Sequence, residues 1–158
     1  MNFVISLSIS EDYDAVLMMI DWLIKMRHFI STHITAIAET VVNLYVNHIY
    51  CLHEFSDMIV FDWEPQFITL FWKLLCWRLS IFWLLLTAFH SEINEQTEIN
   101  NASMKAYLCT YTVYQQNNWF KWLGLAEFAV NNTVSEIIQC SLFYINYRYN
   151  FCMRFEPC

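Results

Sequence analysis

The segment Ala15-Val16-Leu17-Met18-Met19-Ile20 is a run of six apolar residues without a polar interruption. It is short for a helix and suits a central β-strand that is buried on both faces of its sheet. Such a strand needs a layer of structure on each side. The run therefore predicts a domain built in layers around a sheet.

Hydrophobic patterns along the rest of the chain predict the other elements. We expect three strands in a row, then alternating helix and strand, then helices, which is typical of a mixed α/β fold. We predict one domain over residues 1–150 and a tail over 151–158. The predicted strands are Met1–Ser8, Ala15–Ile20, Arg27–Thr32, Met58–Phe61 and Ile81–Leu86, and the predicted helices are Ala36–Leu52 (capped by Thr35), Ile68–Leu79, Glu95–Tyr114 and Trp119–Val130.

The chain has one Gly, two Pro and twelve Asn in 158 residues. Because typical chains contain about 7% Gly and about 5% Pro, the usual turn-forming residues are scarce. Asn tolerates positive φ better than most residues, so we expect some of the Asn to occupy such turns. The remaining turns are expected to be strained or loose, which predicts a marginally stable, poorly soluble protein.

Charge and cysteine content narrow the classes of function. A net charge of −7 argues against strong nonspecific DNA binding, which needs cationic side chains to neutralise phosphates. The six cysteines include no C-x-x-C pair, and no segment resembles a signal peptide, so we expect buried thiols rather than disulfides. The five histidines have no zinc-like spacing and are expected in the core or on the surface.

The apolar stretch Phe67–Phe89 raises a membrane alternative. Lys73 and Arg78 lie within it, and each would cost about 2.5–3.5 kcal/mol at a bilayer centre. The uncharged part, Leu79–Phe89, is shorter than the roughly 20 residues that a spanning helix needs. We favour a buried helix followed by a buried strand and expect no membrane association, with a small membrane protein as the alternative.

Two acidic residues indicate a possible metal site. Asp62 follows a predicted strand, and Glu98 lies near the start of a predicted helix. Carboxylates placed in this way can converge on divalent metal ions that catalyse polynucleotidyl transfer. The alternative is an ordinary strand-end acid and a helix-start acid favoured by the helix dipole.

A series of segments resembles the integrase catalytic core of gypsy-type LTR retrotransposon polyproteins. The similar segments follow one another in order from Met1 to about Tyr147. They include Tyr13-Asp14-Ala15-Val16-Leu17, Asp21, Lys25-Met26-Arg27-His28-Phe29-Ile30, Pro65-Gln66-Phe67, Phe71-Trp72, Gln96-Thr97-Glu98, Tyr114-Gln115-Gln116 with Trp119, Leu125-Ala126-Glu127-Phe128-Ala129 and Asn131-Asn132.

The resemblance implies a ribonuclease H-like fold with a central five-stranded mixed sheet flanked by helices. It also implies DNA integration, a D,D-35-E triad, Mg²⁺ or Mn²⁺ as cofactor, no zinc, DNA as partner and a homodimer. Localisation would be intracellular, in the nucleus if this ancestral role is retained. Relative to the family, the domain is expected to be truncated at both ends.

Mapped onto this sequence, the resemblance assigns the second triad Asp to Asp62 and the Glu to Glu98, with thirty-five residues between them. The family's first Asp lies on strand one, where this chain has Asn2. Asp21 is a tempting substitute but ends the second predicted strand. Since Mg²⁺ is held mainly by carboxylates and phosphates, a neutral amide at position 2 predicts an inactive enzyme.

The same resemblance nominates DNA-contacting residues. Asn101 and Lys105 follow Glu98 on its predicted helix, and Lys105 returns to about the same face as Glu98. His90 precedes the loop beside the site. Two alternatives to a degenerate integrase core remain open, namely a non-catalytic protein-interaction remnant and a relic reading frame that is not expressed.

Overall fold

A computed structural model describes residues 1–5, 7–53, 56–61, 69–85, 101–102, 104–110, 112, 117–135 and 139–151. Its strands are β1 (Asn2–Val4), β2 (Ala15–Ile20), β3 (Arg27–Thr32), β4 (Met58–Phe61) and β5 (Phe82–Leu85). The helices are α1 (Ala38–Tyr45), a π-helical turn (Val46–Tyr50), α2 (Cys51–His53), α3 (Leu70–Arg78), α4 (residues 101–102 and 104–110), α5 (Trp119–Asn132) and α6 (Leu142–Tyr147). This order confirms the predicted mixed α/β arrangement.

The strands pair in two groups. Strands β1, β2 and β3 form an antiparallel sheet in that order, with Phe3 opposite Leu17 and Leu17 opposite Ile30. Strands β4 and β5 form a parallel pair, with Ile59 opposite Trp83. A parallel pair needs a crossover connection, and α3 lies in that connection.

One hydrogen bond joins the two groups at β1. The amino group of Met1 donates to the carbonyl oxygen of Val60 in β4 at 2.7 Å. The contact places β1 between β2 and β4. The single five-stranded sheet remains a prediction, because the assigned strand pairing gives a three-stranded and a two-stranded sheet.

Side chains alternate between two hydrophobic cores, one on each face of the antiparallel sheet. Phe3 and Leu17 pack with residues of α1 and α3 on one face. Val4 and Val16 pack with residues of α4 and α5 on the other. The apolar run of β2 is buried from Ala15 to Met19, as predicted for a strand covered on both faces.

Helix α5 covers the outer edge of β3 with polar side chains. Asn131 is fully buried, its Oδ1 accepts from the backbone N–H of Arg27 at 2.9 Å, and its Nδ2 donates to the Arg27 carbonyl at 2.7 Å. One turn earlier, Glu127 Oε2 accepts from the backbone N–H of Phe29 at 2.8 Å. Together the two side chains occupy backbone hydrogen-bonding groups along the edge of β3. Without them, these groups would be open to pairing with a strand of another chain.

Several turns contain residues in a strained backbone conformation, as the scarcity of Gly predicts. Positive φ occurs at Glu11, Asp12, Lys25, Ser80, Gln139 and Arg148. None of these residues is Asn, so the expectation that Asn fills such positions is wrong among the described residues. Each such residue with a Cβ costs about 1–2 kcal/mol relative to its preferred conformation.

Several local predictions differ from the structure. The first strand is shorter than Met1–Ser8, and the helix predicted over Ala36–Leu52 starts at Ala38 after Ile37, so Thr35 is not its cap. That helix also contains a π-helical turn, for which hydrophobic spacing gives no signal. Helix α6 was not predicted. Beyond it, the ring of Phe151 packs 4.7 Å from Phe143, and residues 152–158 of the predicted tail lie outside the described residues.

The apolar stretch around α3 and β5 is a helix followed by a strand, but it is not fully buried. Trp72 and Cys76 point into the core, whereas Leu74, Trp77 and Phe82 are exposed. No helix among the described residues combines the length and the apolar character needed to cross a membrane.

The prediction that the cysteines are mostly buried is wrong for the four that are described. Cys76 is buried, Cys140 is half-buried, and Cys51 and Cys109 are exposed. Burial raises the pKa of the Cys76 thiol. No disulfide joins these four residues.

Replacing Asn131 with Ala should lower the free energy of unfolding by about 2–4 kcal/mol, because both backbone groups of Arg27 lose their partner. Urea denaturation measures the change. Asn132→Ala is the matched control, since its Oδ1 has no partner among the described residues, and should change stability by less than about 0.5 kcal/mol. Equal losses in the two variants would contradict the edge-covering role.

Candidate functional site

Asn2 lies at the centre of the fold. It is the first residue of β1, pairs with Met18 of β2, and has a side chain that is 6% exposed. By strand alternation its side chain shares the face of Val4, which is covered by α4 and α5. A polar side chain at such a position needs a hydrogen-bond partner.

That partner is Asn101 of α4. Asn2 Nδ2 donates to Asn101 Oδ1 at 3.3 Å, although ninety-nine residues separate the two in the chain. The structure thus brings together two predicted site residues. Asn2 is at the predicted first triad position, and Asn101 is one of the three residues predicted to contact DNA. An amide–amide hydrogen bond is neutral, so the pair supplies no charge for a cation.

Lys105 lies elsewhere on the same helix. It is exposed and is four residues, or about 6 Å along the helix axis, beyond Asn101. With Leu7, Ser8 and Trp119 it lines a cavity of about 100 Å³ past the end of β1. Lys105 is therefore one helical turn away from the Asn2–Asn101 pair. Asp62, Glu98 and His90 lie outside the described residues, so their predicted roles remain predictions.

Asp21 has a structural role in the turn between β2 and β3. Its Oδ1 accepts from the backbone N–H groups of Leu23 and Ile24, both at 2.8 Å. These bonds stabilise a turn in which Lys25 adopts positive φ. The side chain caps the turn in a way common for Asp, which explains its presence without a catalytic function.

A cavity of about 420 Å³ opens beside Met1 and Asn2, at the start of β1. Its lining also includes His28 of β3, His53 of α2 and Asp21. His28 Nε2 and His53 Nε2 are 3.0 Å apart. Partial burial lowers the pKa of His53, His28 lowers it further, and Asp21 acts in the opposite direction.

Sequence patterns did not predict the contact between His28 and His53. His28 and His53 are twenty-five residues apart, on a strand and a helical turn, so no spacing rule joins them. The orientation of His53 also depends on the π-helical turn that precedes it, and sequence patterns do not reveal such a turn.

The described residues do not form a carboxylate site for Mg²⁺. They contain no group of three or more His, Cys, Asp or Glu side chains placed to hold a metal ion. At the first triad position the Nδ2 of Asn2 is directed to Asn101 rather than to a cation. This donor set lacks the anionic oxygens that Mg²⁺ requires.

Comparisons with known proteins identify the fold. The chain is similar to a chain of the simian T-cell lymphotropic virus intasome in complex with PP2A regulatory subunit B56 gamma, with 14% identity and a TM-score of 0.75. That alignment covers 99% of this chain and 55% of the other, so this chain spans about half the length of that protein.

Isolated integrase cores are similar as well. The HTLV-2 integrase catalytic core domain in complex with magnesium matches at 14% identity with a TM-score of 0.69, covering 91% of this chain and 93% of that one. The catalytic core domain of BIV integrase matches at 13% identity with a TM-score of 0.67, covering 93% of each. No protein-family model matches the sequence. The chain therefore has a mixed α/β fold similar to that of retroviral integrase catalytic cores.

The Asn2–Asn101 hydrogen bond should appear as energetic coupling between two distant residues. A double-mutant cycle with Asn2→Ala and Asn101→Ala, measured by urea denaturation, should give a coupling energy of about 0.5–1.5 kcal/mol. The exposed Lys105 provides the control, because Lys105→Ala should be additive with Asn2→Ala. Additivity of Asn2→Ala and Asn101→Ala within about 0.3 kcal/mol would contradict the contact.

Proposed function

We propose that this chain is a degenerate integrase catalytic core whose ancestral role was metal-dependent DNA integration and whose catalytic site has lost its first metal ligand. The observation that carries the proposal is the position of Asn2, buried in β1 and bonded to Asn101 on α4. The resemblance to gypsy-type integrase cores assigns a metal-binding Asp to this position. The similarity of fold to integrase cores supports that assignment.

Chain connectivity supports the proposed convergence of Asn2 with Asp62. Asn2 is one residue from Met1, whose amino group bonds to Val60, and Asp62 is two residues beyond Val60. A residue spans at most about 3.6 Å of chain, so Asp62 lies within about 7 Å of Val60 along the backbone. We therefore assign Asp62 to the neighbourhood of Asn2.

The same reasoning applies to Glu98. It precedes Asn101 by three residues, which limits their separation to about 11 Å of extended chain. If the helix of Asn101 includes Glu98, as the sequence predicts, residues three apart share one face. Glu98 would then face β1 together with Asn101, and Asn2, Asp62 and Glu98 would surround one site.

Such a site would hold two carboxylates and one amide. Mg²⁺ and Mn²⁺ would bind weakly there, because the missing charge is not replaced and Asn2 is already engaged with Asn101. The residues present do not fit the family's metal centre, so no catalytic step follows from it. The net charge of −7 further disfavours DNA binding.

We predict that the purified protein shows no Mg²⁺- or Mn²⁺-dependent nicking or joining of DNA, and that Asn2→Asp raises its Mn²⁺ affinity at least about tenfold. The physical reason is restoration of the third carboxylate, toward which Asn101 can turn its amide nitrogen. Isothermal titration calorimetry measures the affinity.

The control for this test is Asp62→Asn or Glu98→Gln in the Asn2→Asp background, each of which should abolish the gain. Asn146→Asp, an exposed asparagine of α6, controls for the added charge and should leave Mn²⁺ affinity unchanged. Robust DNA joining by the unmodified chain, or an equal gain from Asn146→Asp, would refute the proposal.

A second candidate function, a non-catalytic interaction module that pairs with another copy, is favoured by the outer face of α3. Leu74 and Trp77 are three residues apart on that face and are 54% and 77% exposed, and Phe82 of β5 is 62% exposed. Exposed apolar patches of this kind are typical of protein interfaces. Structures of the HTLV-2 core exist in trimeric and dimeric forms.

Trp77→Glu should shift the chain toward the monomer, because a charge would replace the largest apolar group of the patch. Light scattering coupled to size-exclusion chromatography measures the oligomeric state. Asn146→Asp, which adds one negative charge at an exposed position of α6, is the control for charge alone. A wild-type chain that is monomeric, or an association that Trp77→Glu leaves intact, would exclude this face as the interface.

A further inference from the structure

The histidine pair in the large cavity brings two imidazole nitrogens within hydrogen-bond distance of each other. His28 Nε2 and His53 Nε2 approach to 3.0 Å, and the two rings are inclined at 52°. His28 is largely buried on β3, whereas His53 is exposed on α2. Both nitrogens therefore meet at the wall of the 420 Å³ cavity, where solvent can reach them.

A carboxylate fixes the orientation of His28. Its Nδ1 lies 3.1 Å from Glu127 Oε1, while Glu127 Oε2 is held by the backbone N–H of Phe29. A carboxylate can only accept, so Nδ1 carries the hydrogen and the Nε2 lone pair is directed toward His53. This carboxylate–histidine arrangement is the usual outer shell of a metal-bound histidine.

The approach of His53 depends on an uncommon piece of backbone. The π-helical turn Val46–Tyr50 lies between α1 and α2, and His53 follows it by three residues. One extra residue in a helical turn rotates the following side chains by about 100° relative to a continuous α-helix. Such turns occur frequently at functional sites. Here the turn directs His53 to the sheet.

The donor atoms indicate the class of metal. Imidazole nitrogens suit transition-metal ions such as Zn²⁺, Cu²⁺ and Ni²⁺ rather than Mg²⁺. Two nitrogens bound to one such ion, with metal–nitrogen bonds of about 2.0–2.1 Å, stand about 2.9–3.4 Å apart, and the 3.0 Å separation lies in that range.

We infer that His28 and His53 form a binding site for a divalent transition-metal ion that favours imidazole ligands, with Glu127 as the positioning residue and water completing the coordination. The metal takes the place of the hydrogen shared by the two Nε2 atoms, and that proton moves to His53 Nδ1. No third His, Cys, Asp or Glu among the described residues joins the pair, so the affinity is modest. The pair lines the same cavity as Asn2, but its donors are imidazole nitrogens rather than the carboxylate oxygens of the site proposed around Asn2.

Isothermal titration calorimetry with Ni²⁺ on the full chain tests the assignment. We expect one site, weakened at least about tenfold by His53→Ala and by about tenfold by Glu127→Gln. His48→Ala changes another exposed histidine of the same helical segment and should leave the affinity within about twofold. Circular dichroism identifies any variant that fails to fold. If His53→Ala fails to fold, His53→Gln at the same exposed position repeats the test.

The competing ligand is Cys51, which is exposed two residues before His53. Binding retained in Cys51→Ser supports the histidine pair, and binding lost in Cys51→Ser overturns it. Absence of Ni²⁺ binding, or equal binding by wild type and His53→Ala, also overturns it.

Discussion

The three-residue strand β1 is the constraint on which the rest of the fold depends. It pairs with β2 on one side, and the amino group of Met1 bonds to Val60 of β4 on the other. Phe3 enters the core beneath α1 and α3, and Val4 enters the core beneath α4 and α5. The short strand β1 thus connects both sheets and both cores. We therefore expect a substitution at Asn2 to affect the packing of both.

An asparagine at position 2 affects both the stability of the fold and its capacity to bind a metal ion. Several carboxylates held close together repel one another unless a cation or proton is present. A neutral amide removes that repulsion, and Asn2 also gains a partner in Asn101. Under the proposed assignment, an Asp-to-Asn change at position 2 would replace an ion-binding charge with a hydrogen bond that joins β1 to α4. Such a change would favour the folded chain and would remove a charge that metal-dependent chemistry requires.

Sequence patterns predicted β2 and β4 well because each is a short apolar run flanked by aspartates. The bounds of β2, β3 and β4 match the predictions residue for residue. The interactions that sequence patterns failed to predict are polar and distant. Asn131 and Glu127 bond to the backbone of β3, about one hundred residues away, and helical periodicity carries no information on such partners.

The candidate site was predicted only in part for the same reason. The resemblance to integrase cores predicted a role for Asn2, and the structure adds its bond to Asn101, which no local pattern could show. The His28–His53 contact was missed because a π-helical turn alters the direction of His53. The predicted roles of Asp62 and Glu98 still depend on the resemblance and on their short chain distance from described residues.

The most direct test of the central claim is a crystal structure of the Asn2→Asp variant grown with Mn²⁺, using the anomalous signal of the metal. The account predicts a peak bound by carboxylate oxygens from positions 2, 62 and 98, at about 2.0–2.2 Å, with Asn101 beside them. A structure in which these three side chains lie far apart, with no anomalous peak between them, would contradict it.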